Sequence, residues 1–442
     1  SPSYRKLMSY LELKEGFYEK SKNTDWDERW MQLEKLCDKY RGSNGNSYDC
    51  AIAVSGGKDS HMQTFVMKEK LKMNPILLEV GNVDWTDVGR KNLDNLSDTF
   101  GCDIIQLQPN IKANRILTKK AFKELGQSSW YIDSIIYAFP YNMAMKLGVK
   151  LLVYGEDVNY NYGGKQNEEK ASAMLQPYNK VVQPYNEEWL KDEKLTEKDF
   201  EITKPPTVNE CEKFGLDPIY LSYFVPWNSH HNYELAKKWG FRHLGHEYHR
   251  EGWLEDYDQI DTLSYLVNPY LKYLKFGHSV ATDIGSRWIR YGMKTREEMI
   301  PLVEENDKKI DQGVVEKFCE FTKISFNVPK KLLEEFETIA YLNHYSRVEG
   351  FKEAMRGFVG EQTPEEYTNA DDMKNQWRQM MDAILEISQD PKYQKLGIDP
   401  NTMVTKTPKQ CPKLSHPKNF FQNSHSPKTL SKTLRAQNLC PK

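Results

Sequence analysis

The chain has 442 residues and is close to neutral, with 61 basic and 63 acidic side chains and a net charge of -2. Charged residues reach 28%, but 26 Tyr, 18 Phe and 10 Trp supply enough apolar surface for a core, which argues against wholesale disorder. The charge balance disfavours a basic nucleic-acid wrapper and an acidic solvating chain alike; no run reaches the roughly 18 apolar residues of a membrane helix and no apolar signal core opens the chain, so a cytoplasmic protein with no membrane and no nucleic-acid partner is expected.

In chain order, residues 1–48 form a charged, helical N-terminal segment. Trp26, Trp30, Leu33, Leu36 and Cys37 recur at spacings of three and four, one apolar stripe, with Asp25 ahead of it as the cap. Short apolar runs then alternate with helical patterns. Strands are expected at 49–54, 74–80, 102–108, 150–154 and 219–224. Helices are expected from 61 to about 71, over 87–100, and at about 112–125 and 131–147. This pattern predicts an α/β fold, a parallel five-stranded sheet with helices on both faces, over 49–225. A polar stretch at about 165–215 reads as an insertion covering or extending the site. A mainly helical substrate or partner region follows at 226–345, then a helical extension at 346–400. The last segment, 401–442, carries eight basic residues, five prolines and no acid, and is expected to be a disordered basic tail. Seven scattered cysteines without a C-x-x-C pair suit reduced thiols.

The sharpest feature is Ser55-Gly56-Gly57-Lys58-Asp59-Ser60, directly after a strand and before a helix. Two glycines allow a tight bend that brings backbone N–H groups close to a ligand, and the helix start favours negative charge. Ser55 and Ser60 offer hydroxyls and Lys58 a full charge, an anion site suited to pyrophosphate. Asp59 belongs beside phosphates only with a cation, so Mg²⁺ at Asp59 is expected. Neither the Walker A nor the Rossmann glycine spacing is present.

The hexapeptide resembles the PP-loop of ATP pyrophosphatases, which have an adenine-nucleotide alpha-hydrolase-like fold. The resemblance implies ATP as cosubstrate, cleaved to AMP and pyrophosphate. Together with TDWDERWMQLEKLCDKYR (24–41), VYGEDVNYNYGG (153–164) and YLKYLKFGHSVATDIGSRWIRYGMKTREE (270–298), the chain resembles N-acetyl sugar amidotransferases of surface-glycan and flagellin-glycan biosynthesis over roughly 24–340. These convert an acetamido group on a nonulosonic or uronic acid sugar, such as pseudaminic acid, to an acetamidino group. The chain departs from the family in lacking cysteines in residues 1–24, so no structural metal is expected, and in Ser279-Val280, where the family has Gly-Arg. No glutaminase signature is present; by resemblance, ammonia comes from a separate glutaminase, with a cyclase-like subunit between them.

Further residues follow from position. Gly155 and Glu156 sit at the carboxyl end of the fourth strand, where open parallel sheets bind ligands, and Glu156 or Asp157 is read as holding Mg²⁺ or a sugar hydroxyl. Tyr160, Asn161 and Tyr162 read equally as a sugar-binding lip or a connecting loop. Glu79, ending the second strand, is placed near the adenine by analogy of fold. Lys275 and Arg290 are candidates for neutralising pyrophosphate or a sugar carboxylate, whereas Arg287 and Arg296 are read as solvated. His243, His246 and His249, with Glu247, Tyr248 and Arg250, read as a polar surface loop rather than a zinc site, and Asp256, Asp258 and Asp261 as a solvated face. The alternatives are a tRNA-modifying PP-loop enzyme, which would want paired cysteines and a basic face, and a non-catalytic ATP-binding module.

Overall fold

A computed structural model describes residues 24–45, 47–157, 170–178, 187–276 and 278–324, together with 7, 10 and 11. The expected extension at 346–400 and the tail at 401–442 lie outside the described residues.

The apolar runs become β1 (Cys50–Val54), β2 (Pro75–Val80), β3 (Asp103–Leu107), β4 (Leu151–Tyr154) and β5 (Asp217–Tyr220). They form one five-stranded sheet in the order β3-β2-β1-β4-β5, all neighbours parallel. Ile52 of β1 lies opposite Leu77 of β2 and Val153 of β4. Every residue of β2 is buried, as expected of a strand covered on both faces.

The two faces follow from alternation along the strands. Ile52, Leu77 and Val153 point to α1 (Trp26–Tyr40), α2 (Lys58–Thr64) and α3 (Asp87–Phe100), meeting Leu33, Met62 and Leu96. Ala51, Leu78 and Leu152 point to α4 (Ile111–Leu125) and α5 (Trp130–Lys146), meeting Leu117 and Ile135. Asp25 caps α1 as its sequence predicts, accepting the Glu28 N–H at 3.0 Å.

Two expected boundaries shift. The helix after the glycine bend starts at Lys58, not at 61, because Gly57 already serves as its extended N-cap; it runs on into a π-helical turn, Phe65–Lys70. The fifth strand stops at Tyr220, and α8 (Leu221–Phe224) takes the rest. There the Ser222 N–H turns to the Gly155 carbonyl at 2.8 Å, tying the end of β5 to the end of β4. Within the expected insertion, α6 (Glu197–Glu201) and α7 (Val208–Phe214) form, and Ser172 bridges Ile219 on the outer edge of β5. That edge is thereby paired rather than exposed.

Beyond β5 come α9 (Ser229–Lys238), α10 (Val267–Phe276), α11 (Val280–Arg290), α12 (Arg296–Asn306) and α13 (Gln312–Thr322). They build a third core around Phe241, Leu263, Leu271 and Val315, closed against the sheet domain by Val88 of α3 and Phe122 of α4. The Phe122 and Phe318 rings lie 5.0 Å apart. The two parts meet most tightly where α3 begins. A Cβ on Gly89 would fall 2.5 Å from the Asp261 Cα, so only glycine admits the approach. Trp85 bridges Thr262 there, and the Thr86 N–H donates to the Asp261 carbonyl at 2.9 Å.

Chain order reverses between β1 and β4, which makes their carboxyl ends the switch point of the sheet. The glycine bend follows β1 and Gly155-Glu156 follows β4. The fold therefore sets both segments on one edge.

Candidate functional site

The bend between β1 and α2 is shaped by its own side chains. Gly56 has φ +83°, and a Cβ there would lie 2.9 Å from the Leu93 backbone nitrogen, so α3 leaves no room for a side chain. The Ser55 N–H donates to Ser60 Oγ at 2.9 Å. His61 Nδ1 contacts the Gly57 carbonyl at 3.0 Å, and its Nε2 faces the Asn95 amide at 3.0 Å. An amide donor at Nε2 assigns the proton to Nδ1. Burial lowers the His61 pKa to about 4, so the ring is neutral at pH 7 and works as a fixed strut under the bend.

Lys58 is 5% exposed, and its ammonium reaches two carboxylates. Nζ lies 2.8 Å from Asp59 Oδ2 and forms an ion pair with Asp258 Oδ1. Burial pulls the Lys58 pKa down, but the charges of Asp258 and Asp59 outweigh it, so the group is held charged with a raised pKa. The other oxygen of Asp258 pairs with Arg287 Nη2, which also meets Glu255 Oε2 at 3.1 Å. For Asp258, burial opposes ionisation, yet Lys58 and Arg287 win and depress its pKa. Asp59 Oδ1 accepts from the Asn232 amide of α9 at 2.7 Å.

These contacts correct three expectations. Asp258 is not on a solvated face: its side chain is 12% exposed. Arg287 is not on one either, at 13% exposed, whereas Arg290 is exposed, with Nε donating to the Ser286 carbonyl at 3.3 Å. Spacing held the signal, because Arg287 lies three residues after Ile284 on the buried face of α11. Nor is 243–250 simply a polar surface loop. Arg250 is fully buried and donates to the carbonyls of Glu255 and Asp258 at 2.8 Å each and of Gln259 at 3.0 Å. Glu247 accepts the Val88 N–H at 2.8 Å, capping α3. Among the described residues no three His, Cys, Asp or Glu side chains are grouped to hold a metal.

Mg²⁺ on a nucleotide asks for oxygen donors, usually one or two from protein and the rest from phosphate and water. The Asp59 carboxylate and the neighbouring Asn232 Oδ1, which is buried with no hydrogen-bond partner, fit that need.

The remaining candidates spread along the edge. Glu79, the last but one residue of β2, is 1% exposed, with Oε2 unpartnered. Burial raises its pKa to about 8; a Gln106 hydrogen bond opposes this and Asp261 adds to it. The folded chain thus holds a proton on Glu79 that the unfolded chain releases near its ordinary value of 4.5. Stability should fall as pH rises from about 4.5 to 8. We expect Glu79→Gln to gain on the wild type progressively across that window in urea unfolding; a difference that stays constant with pH would count against the assignment.

Gly155 and Glu156 stand at the end of β4 as expected, and Asp157 beside them is buried. Tyr291, which follows α11, accepts the Ser229 N–H at 3.4 Å; burial raises its pKa to about 12, with that hydrogen bond, Arg287 and Arg290 opposing and Glu156 adding, so the end of α11 lies near this edge. Lys275 lies on α10; its side chain, like Tyr160, Asn161 and Tyr162, lies outside the described residues. Asn232 and Asp258 carry no local signal, since nothing in the sequence marks a polar residue as the partner of a distant loop; His61 adjoins the bend, but its burial under the bend depends on Asn95 and Phe241 packed against it.

Residues 251–356 match the family model of the LPS biosynthesis protein WbpG-like, C-terminal domain. Asp258 and Arg287 therefore belong to a WbpG-like segment. An uncharacterised protein of Methanocaldococcus jannaschii is 24% identical over 141 residues, 32% of this chain and 48% of that one, so the match spans about half the relative's length. Among solved structures, NMN synthetase from Francisella tularensis is 11% identical, covering 63% of this chain and 97% of that one, with a TM-score of 0.30. The U34-tRNA thiolase NcsA from Methanococcus maripaludis is 14% identical, covering 67% and 88%, with a TM-score of 0.26. NAD+ synthetase from Burkholderia pseudomallei is 11% identical, covering 53% and 92%, with a TM-score of 0.24. The fold assignment stands on the sheet order and register.

Proposed function

We propose that this chain, a phosphate-loop α/β domain joined to a WbpG-like segment, is an ATP pyrophosphatase-type amidotransferase that converts the acetamido group of an N-acetyl sugar to an acetamidino group. The observation that carries the reading is the ion pair between Lys58 of the loop and Asp258 of the WbpG-like segment, which builds one site from the two.

An amide carbonyl is a poor electrophile, and its oxygen is a poor leaving group. In the proposed reaction that oxygen attacks the α-phosphorus of ATP, the bond to the β-phosphate breaks, and pyrophosphate leaves. Ammonia then adds to the activated carbon, and AMP departs with the former amide oxygen. The loop's N–H groups and the Ser55 and Ser60 hydroxyls would hold the departing pyrophosphate, with Lys58 and Arg287 behind them. Mg²⁺ held by Asp59 and Asn232 would supply charge neutralisation on the phosphates. Gly155 and Glu156 line the same edge, and the sugar is assigned to their side of it; its carboxylate, in a uronic or nonulosonic acid, would meet Arg290. A separate glutaminase, with or without a cyclase-like subunit, would deliver the ammonia. The described cysteines are unpaired and buried, which gives a thiolation chemistry nothing to use. No helix of the described residues is long and apolar enough to cross a membrane.

The test is pyrophosphate release from ATP with ammonium and candidate N-acetyl sugars, with mass spectrometry of the product. Replacement of oxygen by an imino nitrogen lowers the mass by about one unit, and that change is the expected result. Release stimulated by tRNA instead of a sugar, or ATP binding with no stimulated release, would replace this reading with one of its rivals.

A further inference from the structure

Two cations from opposite ends of the fold, Lys58 on α2 and Arg287 on α11, meet on the two oxygens of one carboxylate. A carboxylate placed so is either a stand-in that an incoming phosphate displaces or a fixture that holds both cations where phosphate needs them. A stand-in must be able to leave; the surroundings of Asp258 argue that it stays.

Its main chain is held from below by the buried Arg250 guanidinium, which spans the carbonyls of Glu255, Asp258 and Gln259. The next residue, Gln259, has φ +48°, a left-handed conformation that a non-glycine residue keeps only where its surroundings impose it. Just beyond, Asn82 donates to Asp261 Oδ2 at 2.7 Å and Thr86 to the Asp261 carbonyl at 2.9 Å, so the loop is tied to the segment after β2 as well. A loop restrained on both sides and carrying local strain is built to aim a side chain. Tyr257 adds a wall: its ring centroid lies 5.9 Å from Lys58 Nζ, and its hydroxyl donates to Glu255 at 2.6 Å.

We propose that Asp258 is a positioning residue for the phosphate loop: it sets the Lys58 ammonium and the Arg287 guanidinium in the places from which they hold a nucleotide's phosphates. The inference rests on the reading of Ser55–Ser60 as a phosphate site but not on the sugar chemistry. Through this carboxylate the WbpG-like segment takes part in nucleotide binding, although Asp258 itself touches no ligand.

The test is calorimetric titration of the full chain with Mg-ATP. Asp258→Asn keeps the side chain's shape and all the main-chain bonds from Arg250, and Lys58 retains Asp59 while Arg287 retains Glu255, so the variant should still fold, with a lowered melting midpoint. Its affinity should fall about tenfold, the scale of losing charge-assisted contacts. Arg287→Gln should cost about as much, and the double variant little more than either single one, because both act through one clamp. Unchanged or tighter binding by a folded Asp258→Asn protein overturns the proposal, since removal of a mere competing anion would strengthen binding. Full additivity of the two losses in variants that still fold overturns it too. Should Asp258→Asn fail to fold, Asp258→Glu keeps the charge and shifts it by one methylene; weaker binding is again expected, and wild-type affinity again overturns. Wild-type chain that binds no Mg-ATP removes the phosphate site and this proposal together, whereas normal binding without amidine product removes only the sugar reading.

Discussion

Asp59→Asn is expected to cut ATP-dependent pyrophosphate release on the order of 10³-fold while leaving the melting transition almost unmoved. The separation of the two effects follows from the contacts. Lys58 is the buried charge that needs compensation, and it retains Asp258 when Asp59 is neutralised. An amide at position 59 can still accept from Asn232 at the position now 2.7 Å away. What disappears is the negative charge beside the phosphates, and with it the protein's share of the cation that the nucleotide carries. Pyrophosphate release and a melting curve on the same sample check this. Activity near wild type in the folded variant would remove the loop from the chemistry.

Arg250→Met should be the most destabilising single change in the WbpG-like segment's approach to the loop. The substitution keeps length and apolar bulk but strips three main-chain carbonyls of their donor at once. Each buried carbonyl left without a partner costs ~1–3 kcal/mol, so a loss of ~3 kcal/mol or more is expected. Burial lowers the Arg250 pKa, the charges of Asp256, Asp258, Glu255 and Asp261 oppose it, and the balance falls at about 10, still far above neutrality, so the guanidinium is charged throughout the physiological range. Its stacking on Trp253, 3.9 Å from the ring centroid, goes as well. With the carbonyls released, Gln259 has no reason to keep its left-handed backbone, and Asp258 loses its aim. Stability and Mg-ATP affinity should therefore fall together, unlike in Asp59→Asn. Arg250→Lys should fall between, because an ammonium carries the charge but lacks the planar fork that spans three acceptors. Urea unfolding with and without nucleotide measures both quantities, and wild-type stability for Arg250→Met would refute the role given to this side chain.

How far the sequence reached is visible residue by residue. The five apolar runs, the glycine bend, the Asp25 cap and the helices between strands are local signals, and each occurs within a few residues of its expected place. Leu221–Phe224 is as apolar as a strand and by sequence extends the fifth one; in the structure it is a helix, with the Ser222 N–H on the Gly155 carbonyl, far away in sequence. A parallel sheet that binds ligands at its carboxyl edge follows from the alternation of strand and helix, but the strand order that brings Ser55–Ser60 beside Gly155-Glu156 comes from the structure. The charged residues are not legible locally. Sequence alone favours Arg290 over Arg287 and sets Asp258 and Arg250 in solvent. By itself, the sequence determined the α/β sheet and the phosphate bend, because backbone propensity, hydrophobic period and glycine torsions act over a few residues. Only the tertiary structure decided which charges complete the bend, because a buried charge is set by a partner brought to it, and the partners here, Asn232 among them at 173 positions from Asp59, meet only when the helical segment docks on the sheet.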